Sequence, residues 1–232
     1  MLLLIQYTLI FASVLILVAL GGCFSEHSGV INIGLEGIMV LGALGGALMM
    51  KFMPAGLNDF VIILLVVLAS MLLGAVYSLL LAVAAINFKA DQTLVGTAMN
   101  LLGTAAATVF VKAMNTAESV DNVSSTIQYI EPKKAFLVNL GGFEFNWFML
   151  MALLALVISY VTLYKTRFGL RLMACGEHPQ AADSVGINVY KMRYAGVLIS
   201  GLLGGLGGIV YITAGVSEWK FENGVAGFGF LA

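Results

Sequence analysis

Long stretches without a single Asp, Glu, Lys or Arg alternate with short polar connections along this chain. Residues 2–25, 60–88, 92–111, 145–164 and 194–217 are such stretches, and each reaches the ~20 residues needed to cross ~30 Å of hydrocarbon. A sixth, residues 31–50, contains one acid, Glu36. The pattern predicts an all-α polytopic membrane protein, a bundle of about six transmembrane helices forming one domain over residues 1–232. The opening run has no basic segment before it and leads into Gly-rich sequence, so it reads as a retained span and not a signal peptide. Residues 21–34 interrupt the pattern and leave two readings open: a plain turn, or a re-entrant or broken helix.

The spans differ in texture. Residues 60–88 are rich in Leu and Val, as suits a lipid-facing helix, whereas residues 31–50 and 194–215 are studded with glycine. Gly42/Gly46, Gly201/Gly205 and Gly204/Gly208 are four apart, a spacing that lets helix backbones approach closely where lipid offers no hydrophobic drive for association. Those two helices are expected inside the bundle, with Gly42, Gly46, Gly201, Gly205 and Gly208 as packing positions. Either static packing or a sliding pair fits the spacing. Gln92, Thr93, Thr97, Asn100, Thr104 and Thr108 recur every three to four residues, which places most of them on one helix face. That face either lines a polar path for a small neutral solute, with Gln92, Thr97, Asn100 and Thr104 as its candidate residues, or hydrogen-bonds to neighbouring helices.

Composition fixes the solvent. A chain with 61% hydrophobic and 10% charged residues cannot hide its apolar surface in a soluble core. At net charge −1 it offers no electrostatic support for nucleic acid. Charge placement then orients the bundle. Lys165, Arg167, Arg171, Lys191 and Arg193 fall in one connection and are five of only 11 basic residues, which puts that connection in the cytoplasm. Residues 115–144, with Glu118, Asp121, Glu131 and Glu144 against Lys133 and Lys134, then lie outside, as do residues 51–59 and both termini. Residues 89–91 and 26–32 lie inside, and a broken segment at 21–34 would move the N-terminus to the cytoplasm.

Little in the sequence points to catalysis. It lacks a Gly-x-x-x-x-Gly-Lys-Ser/Thr phosphate loop, a G-x-S-x-G elbow and an H-E-x-x-H helix. Cys23 with His27 and Cys175 with His178 fall on one side of the membrane, but the pairs are irregular and distant, and no metal is assigned. Glu36 lies near the start of its helix, where Asn32 or Ser28 is placed to cap and the helix dipole favours a carboxylate. A proton-coupling or substrate-binding role is the other reading.

Two long motifs in order carry a resemblance. Gln180-Ala181-Ala182-x-x-x-Gly186-Ile187 resembles the Glu-Ala-Ala-x-x-x-Gly loop of ATP-binding-cassette importer permeases. In its fuller form, Gly176-Glu177-His178-Pro179-Gln180-Ala181-Ala182 through Gly186-Ile187-Asn188-Val189 is similar to the Gly-Glu-Asn-Pro-x-Ala-Ala…Gly-Ile-Asn-Val segment of the nucleoside and simple-sugar branch of the branched-chain-amino-acid permease superfamily. Residues 20–37, from Leu20-Gly21-Gly22-Cys23-Phe24-Ser25-Glu26-His27 to Asn32-Ile33-Gly34-Leu35-Glu36-Gly37, are similar to that branch's Gly-Gly-x-Phe-Ser-Glu-Arg-Ser-Gly-Val-x-Asn-Ile-Gly-Leu-Glu-Gly stretch. Gln180 replaces the usual Glu, and His27 the usual Arg. Gly227-Phe228-Gly229 lacks the Arg of the family's Val-Ala-Gly-Arg-Gly-Phe segment, after which relatives continue through further helices, so the chain reads as C-terminally short.

The resemblance implies a multi-pass permease subunit of the bacterial cell (inner) membrane, embedded in the lipid bilayer and carrying nucleosides or related small polar solutes. It implies a second permease subunit, a cytosolic ATP-binding-cassette ATPase that uses ATP, and an extracytoplasmic substrate-binding lipoprotein, with no cofactor on this chain. The coupling residues it implies are Glu177, Pro179, Gln180, Ala181, Ala182 and Gly186. Pro179 suits a first helical turn, Ala181 and Ala182 a close approach to the ATPase, and Gly186 a helix end. An ion-coupled secondary transporter using Glu36, or a truncated scaffold, are the alternative readings.

Overall fold

The structure is a computed structural model and describes residues 2–54, 56–127, 137–140, 143–215 and 220–232. Among the described residues six helices are long and apolar enough to cross a membrane. They are α1 (Leu2–His27), α2 (Leu35–Phe52), α3 (Asp59–Ala82), α4 (Gln92–Glu118), α5 (Trp147–Lys165) and α8 (Val189–Val210). Single π-turns extend α3 over Val83–Asn87 and α8 over Tyr211–Gly215. Between α5 and α8 lie α6 (Arg167–Glu177), where the sequence reads as a loop, and α7 (Pro179–Ser184), the short cytoplasmic coupling helix expected between Pro179 and Gly186. The helical α6 has a simple cause: Leu172 and Cys175 share a face three residues apart and are buried, Leu172 packing with Phe24 and Leu163. A small antiparallel hairpin, β1 (Leu137–Leu140) with β2 (Phe143–Asn146), precedes α5 and is the one departure from an all-α chain among the described residues. Residues Glu131, Lys133 and Lys134 of that connection lie outside the described residues.

Helix α8 is the shaft of the bundle and packs against α1, α2 and α3. The reason is steric. A Cβ added to Gly42 would overlap the Gly205 backbone, one on Gly46 the Ile209 side chain, and one on Gly208 the Met39 carbonyl. Gly201 and Gly205 likewise abut Ser78 and the Ser70 carbonyl of α3, and the Ser70 hydroxyl donates to the Gly205 carbonyl at 2.6 Å. In α2 and α8, 67% and 72% of the spanning window is buried, against 22% in α5. The exposed faces of α3 and α5 carry Leu64, Leu68, Leu72, Leu153, Val157 and Ile158 in the positions lipid would cover.

Close approaches also give the directions. Gly196 meets Ser28, and Gly207 meets Val18, so α1 runs opposite to α8; Gly204 meets Ile38, and Gly208 meets Met39, so α2 runs with it. Helix α4 runs with α2, Gly96 lying on Gly34 and Gly103 on Gly37. All the cations of the α5–α8 connection therefore collect at one end, with Lys89, and the N-terminal end of α1 lies at the other. The 21–34 segment is helical to His27 and non-helical over 28–34, where it joins two antiparallel helices as a turn; it adds no crossing, so the N-terminus stays at the end opposite the cations.

The break is at residues 28–34. Helix α2 starts at Leu35 and not at Ile31, because the preceding backbone is paired by side chains. The Gln92 Oε1 accepts from the Ile31 N–H at 2.7 Å, and Asn100 Nδ2 donates to the Ile33 carbonyl at 2.9 Å. Asn32 Oδ1 accepts from Gly34 N–H at 3.1 Å while its Nδ2 donates to Ser200 Oγ at 2.9 Å. Irregular backbone at membrane depth survives only with such internal partners. Neither Asn32 nor Ser28 caps α2: its N-cap is Gly34, with no side-chain cap, since the helix begins later than the apolar run suggests. Helix α4 in turn runs past Val111 to Glu118 because its charges are paired at that end. Lys112 pairs with Glu222, and Lys51 with Glu118 at 2.6 Å.

Candidate functional site

Two places in the bundle gather polar groups. The first is an open cleft of about 400 Å³ along α4, lined by Glu36, Thr97, Asn100, Thr104, Glu222 and Phe230 among others. Its depth follows from α4. Asn100 lies eight residues beyond Gln92, about 12 Å into the membrane at 1.5 Å per residue, and Asn100 Oδ1 accepts from Gly37 N–H at 2.8 Å. The start of α2, with Glu36, thus lies about 12 Å inward from the basic end of α4.

Glu36 does more there than meet a helix dipole. Its Oε1 accepts from the N–H groups of Val225 and Gly227, both at 3.0 Å, and its Oε2 from Gly229 N–H at 2.8 Å. Left-handed backbone at Gly224 (φ 62°), Ala226 (φ 54°) and Gly227 (φ 78°) turns these donors toward one carboxylate. The segment comes in from the opposite end of the bundle: Phe221 N–H donates to the Ser125 carbonyl at 3.2 Å, and α9 (Phe228–Leu231) ends beside Cys23 and Glu26. Glu222, outside the six spans, is held below the usual carboxylate range by its hydrogen bond to Lys112 and by that cation's charge. Glu36 is therefore the anchor of a chain segment some 190 residues away, a role the sequence could not display.

Of the α4 polar face, Thr97, Asn100 and Thr104 line the cleft and Gln92 does not, its side chain being spent on Ile31. Thr97, Thr104 and Thr108 hydroxyls donate back to carbonyls of their own helix, which leaves the Thr97 and Thr104 oxygens as acceptors on the cleft wall. Asn100 serves both neighbours and cleft. The face thus combines the two readings of its pattern, helix bridging at Gln92 and Asn100 and a polar lining at the threonines.

The second place is α7 at the basic end. Pro179 occupies its first turn. Gly186, at φ 82°, closes it in a Schellman arrangement, with Gly186 N–H on the Asp183 carbonyl (2.9 Å) and Ile187 N–H on the Ala182 carbonyl (3.1 Å). Glu177, Gln180, Ala181, Asp183 and Val185 are exposed, but Ala182 is buried. Adjacent residues on a helix point about 100° apart, so a helix lying on the bundle offers Ala181 and not Ala182 to a partner. Cys175 is buried, and burial pushes its thiol above the usual range, with Arg193 opposing. Among the described residues no three His, Cys, Asp or Glu side chains converge as metal ligands would.

Comparison with known proteins gives the following. A family model described as "Branched-chain amino acid transport system / permease component" matches residues 4–232. The chain is 43% identical to the guanosine ABC transporter permease protein NupQ of Bacillus subtilis, over 97% of this chain and 71% of that one. It is 40% identical to the nucleoside ABC transporter permease protein NupC of Lactococcus lactis, with the same coverage, and 25% identical to a second Lactococcus permease protein, NupB, over 93% of this chain and 61% of that one. No solved structure matches the chain significantly.

Proposed function

The chain belongs to the family of branched-chain amino acid transport system permease components, and on that premise we propose that it is the membrane-spanning subunit of an ATP-binding-cassette importer for nucleosides. The similarity to relatives named for guanosine and nucleoside transport carries the substrate class. On α4 the cleft presents hydroxyls and one amide that suit the hydrogen-bonding groups of such a solute, and the two carboxylates that also line it are already engaged, Glu36 by three backbone N–H groups and Glu222 by Lys112. Residues 1–232 act as one permease domain that holds no nucleotide itself.

In this reading a separate cytosolic ATPase hydrolyses ATP and receives α7, with Glu177, Pro179, Gln180, Ala181 and Gly186 at the contact and Ala182 seating the helix on the bundle. Two matching permease proteins in one organism, NupB and NupC, favour a second, different permease subunit beside this one. An extracytoplasmic lipoprotein delivers the solute to the face opposite α7, and the assembly sits in the bacterial cell membrane. The test is uptake of labelled guanosine into vesicles holding the chain with its ATPase, partner permease and lipoprotein. Uptake that needs ATP, together with crosslinking from Ala181→Cys and not from Ala182→Cys, supports the reading. ATP-independent uptake driven by a proton or sodium gradient, or no uptake by an assembled complex, refutes it.

A further inference from the structure

At the basic end a cleft of about 520 Å³ opens between the last turn of α3, α7 and the start of α8, lined by Ala85, Ile86, Lys89, Asp183, Tyr190 and Arg193 among others. Its charge is unbalanced, two cations facing one carboxylate. Neither cation joins an ion pair among the described residues, and the Arg193 Nε is buried without a hydrogen-bond partner. Lys89 carries a second signal. It closes the π-turn in the left-handed region, at φ 52°, with Ala90 N–H on the Ala84 carbonyl at 3.0 Å. Glycine or asparagine fills such a helix-stop position with less strain, and Lys89 instead puts a cation on the wall of the cleft.

Depth identifies the ligand. The α3 span runs Asp59–Asn87, 29 residues, or about 43 Å at 1.5 Å per residue. That exceeds the ~30 Å hydrocarbon layer and matches the ~40–45 Å that includes both headgroup layers. Ala85 to Lys89 therefore lie at headgroup depth, with apolar Ala85 and Ile86 on the hydrocarbon side and the cations toward water. Basic pockets between helices on the cytoplasmic side suit anionic headgroups.

We propose that this cleft binds the phosphate of an anionic phospholipid, Lys89 and Arg193 pairing with the phosphodiester and Asp183 and Tyr190 accepting or sharing hydrogen bonds with hydroxyls of a glycerol headgroup. A monovalent phosphate neutralises the surplus charge left by the three ionised groups. Because the lipid lies against Pro179 and Gln180 as well, its presence would brace α7 on the bundle. The inference requires only that the chain spans a membrane and does not depend on its solute.

The experiment exposes the purified full chain to vesicles of phosphatidylglycerol and phosphatidylcholine in equal parts and counts retained lipids by native mass spectrometry. Wild type retains phosphatidylglycerol preferentially; Lys89→Gln and Arg193→Gln each lower that preference about fivefold, and Lys89→Arg preserves it. Thermal unfolding of each variant verifies folding, and the exposed Lys89 alone decides the matter if the Arg193 variant fails to fold. Equal retention of the two lipids by wild type, or full preference in folded Lys89→Gln, overturns the proposal. Displacement of the lipid by millimolar inorganic phosphate would reassign the cleft to a soluble anion and likewise overturns it. Unchanged lipid retention with weakened ATPase binding in Lys89→Gln would assign the cations to a partner carboxylate, again overturning the lipid site.

Discussion

Removing the Glu36 carboxylate should release the segment that ends in α9 while leaving the six-helix bundle in place. Three backbone N–H groups converge on Glu36, two on Oε1 and one on Oε2. Hydrogen bonds inside membrane proteins average ~0.6 kcal/mol and reach ~1.7, so Glu36→Ala forfeits about 2 to about 5 kcal/mol of local stability. Glu36→Gln keeps the acceptor that serves Val225 and Gly227 but turns an amide N–H toward Gly229, so it loses about one bond in three. The readout is alkylation of a cysteine introduced at Val225, which is fully buried, in a background with Cys23 and Cys175 changed to serine. Labelling should be slow with Glu36, intermediate with Gln and fast with Ala, and the thermal midpoint in detergent should fall in the same order. Slow labelling and an unchanged midpoint in Glu36→Ala would refute the anchoring role.

Other perturbations separate packing from backbone strain. Gly42→Val drives a side chain into the Gly205 backbone and should cost about 3 kcal/mol or more, seen as lost folded yield, whereas Gly22→Ala, whose Cβ would touch only Leu35 Cδ1 at 3.6 Å, should fold normally. Gly186→Ala meets nothing within 4 Å yet keeps φ 82°, so about 1–2 kcal/mol of strain should loosen α7 to proteolysis without lowering the bundle's thermal midpoint. Asn100→Leu leaves Gly37 N–H and Ile33 C=O unpaired at about 1–3 kcal/mol each, and thermal unfolding should show a correspondingly lower midpoint. Cys175, buried with its thiol raised, holds less thiolate than a free thiol at the same pH. Alkylation of Cys175 should therefore lag the exposed Cys23 and gain speed only as pH climbs above the ordinary thiol range.

The spans were readable because charge-free runs of sufficient length have one physical solution in lipid, and α2 and α8 were readable as interior because their glycines leave no side chain to face lipid. What escaped depends on partners distant in sequence. Residues 31–34 continue without a charge into the helix that follows, and bonds from Gln92, Asn100 and Ser200, with the local one from Gly34 N–H to Asn32, hold them out of helix. Glu36 gave no sign of residues 225–229, and Lys89 and Arg193 registered as topology markers, not as walls of one cleft. Helix α6 was legible in principle: Phe168, Leu172 and Cys175 repeat at four and three residues, a spacing masked by the interest of the cations around it. In α7 the sequence supplied the first turn and the glycine stop, while which alanine faces outward depended on how the helix lies on the bundle.

The central place of α8 also bears on biosynthesis. The ribosome delivers α1, α2 and α3 to the membrane more than a hundred residues before α8, the helix all three pack against. Until then Gly42, Gly46 and the Ser70 and Ser78 hydroxyls face lipid or one another in provisional pairings, each helix already stable as a span but without its final neighbour. Closure of the whole bundle therefore waits on α8, although α2 can pack on α3 and α4 before it arrives, and an interruption of translation before Val189 leaves α1, α2 and α3 without the helix they share.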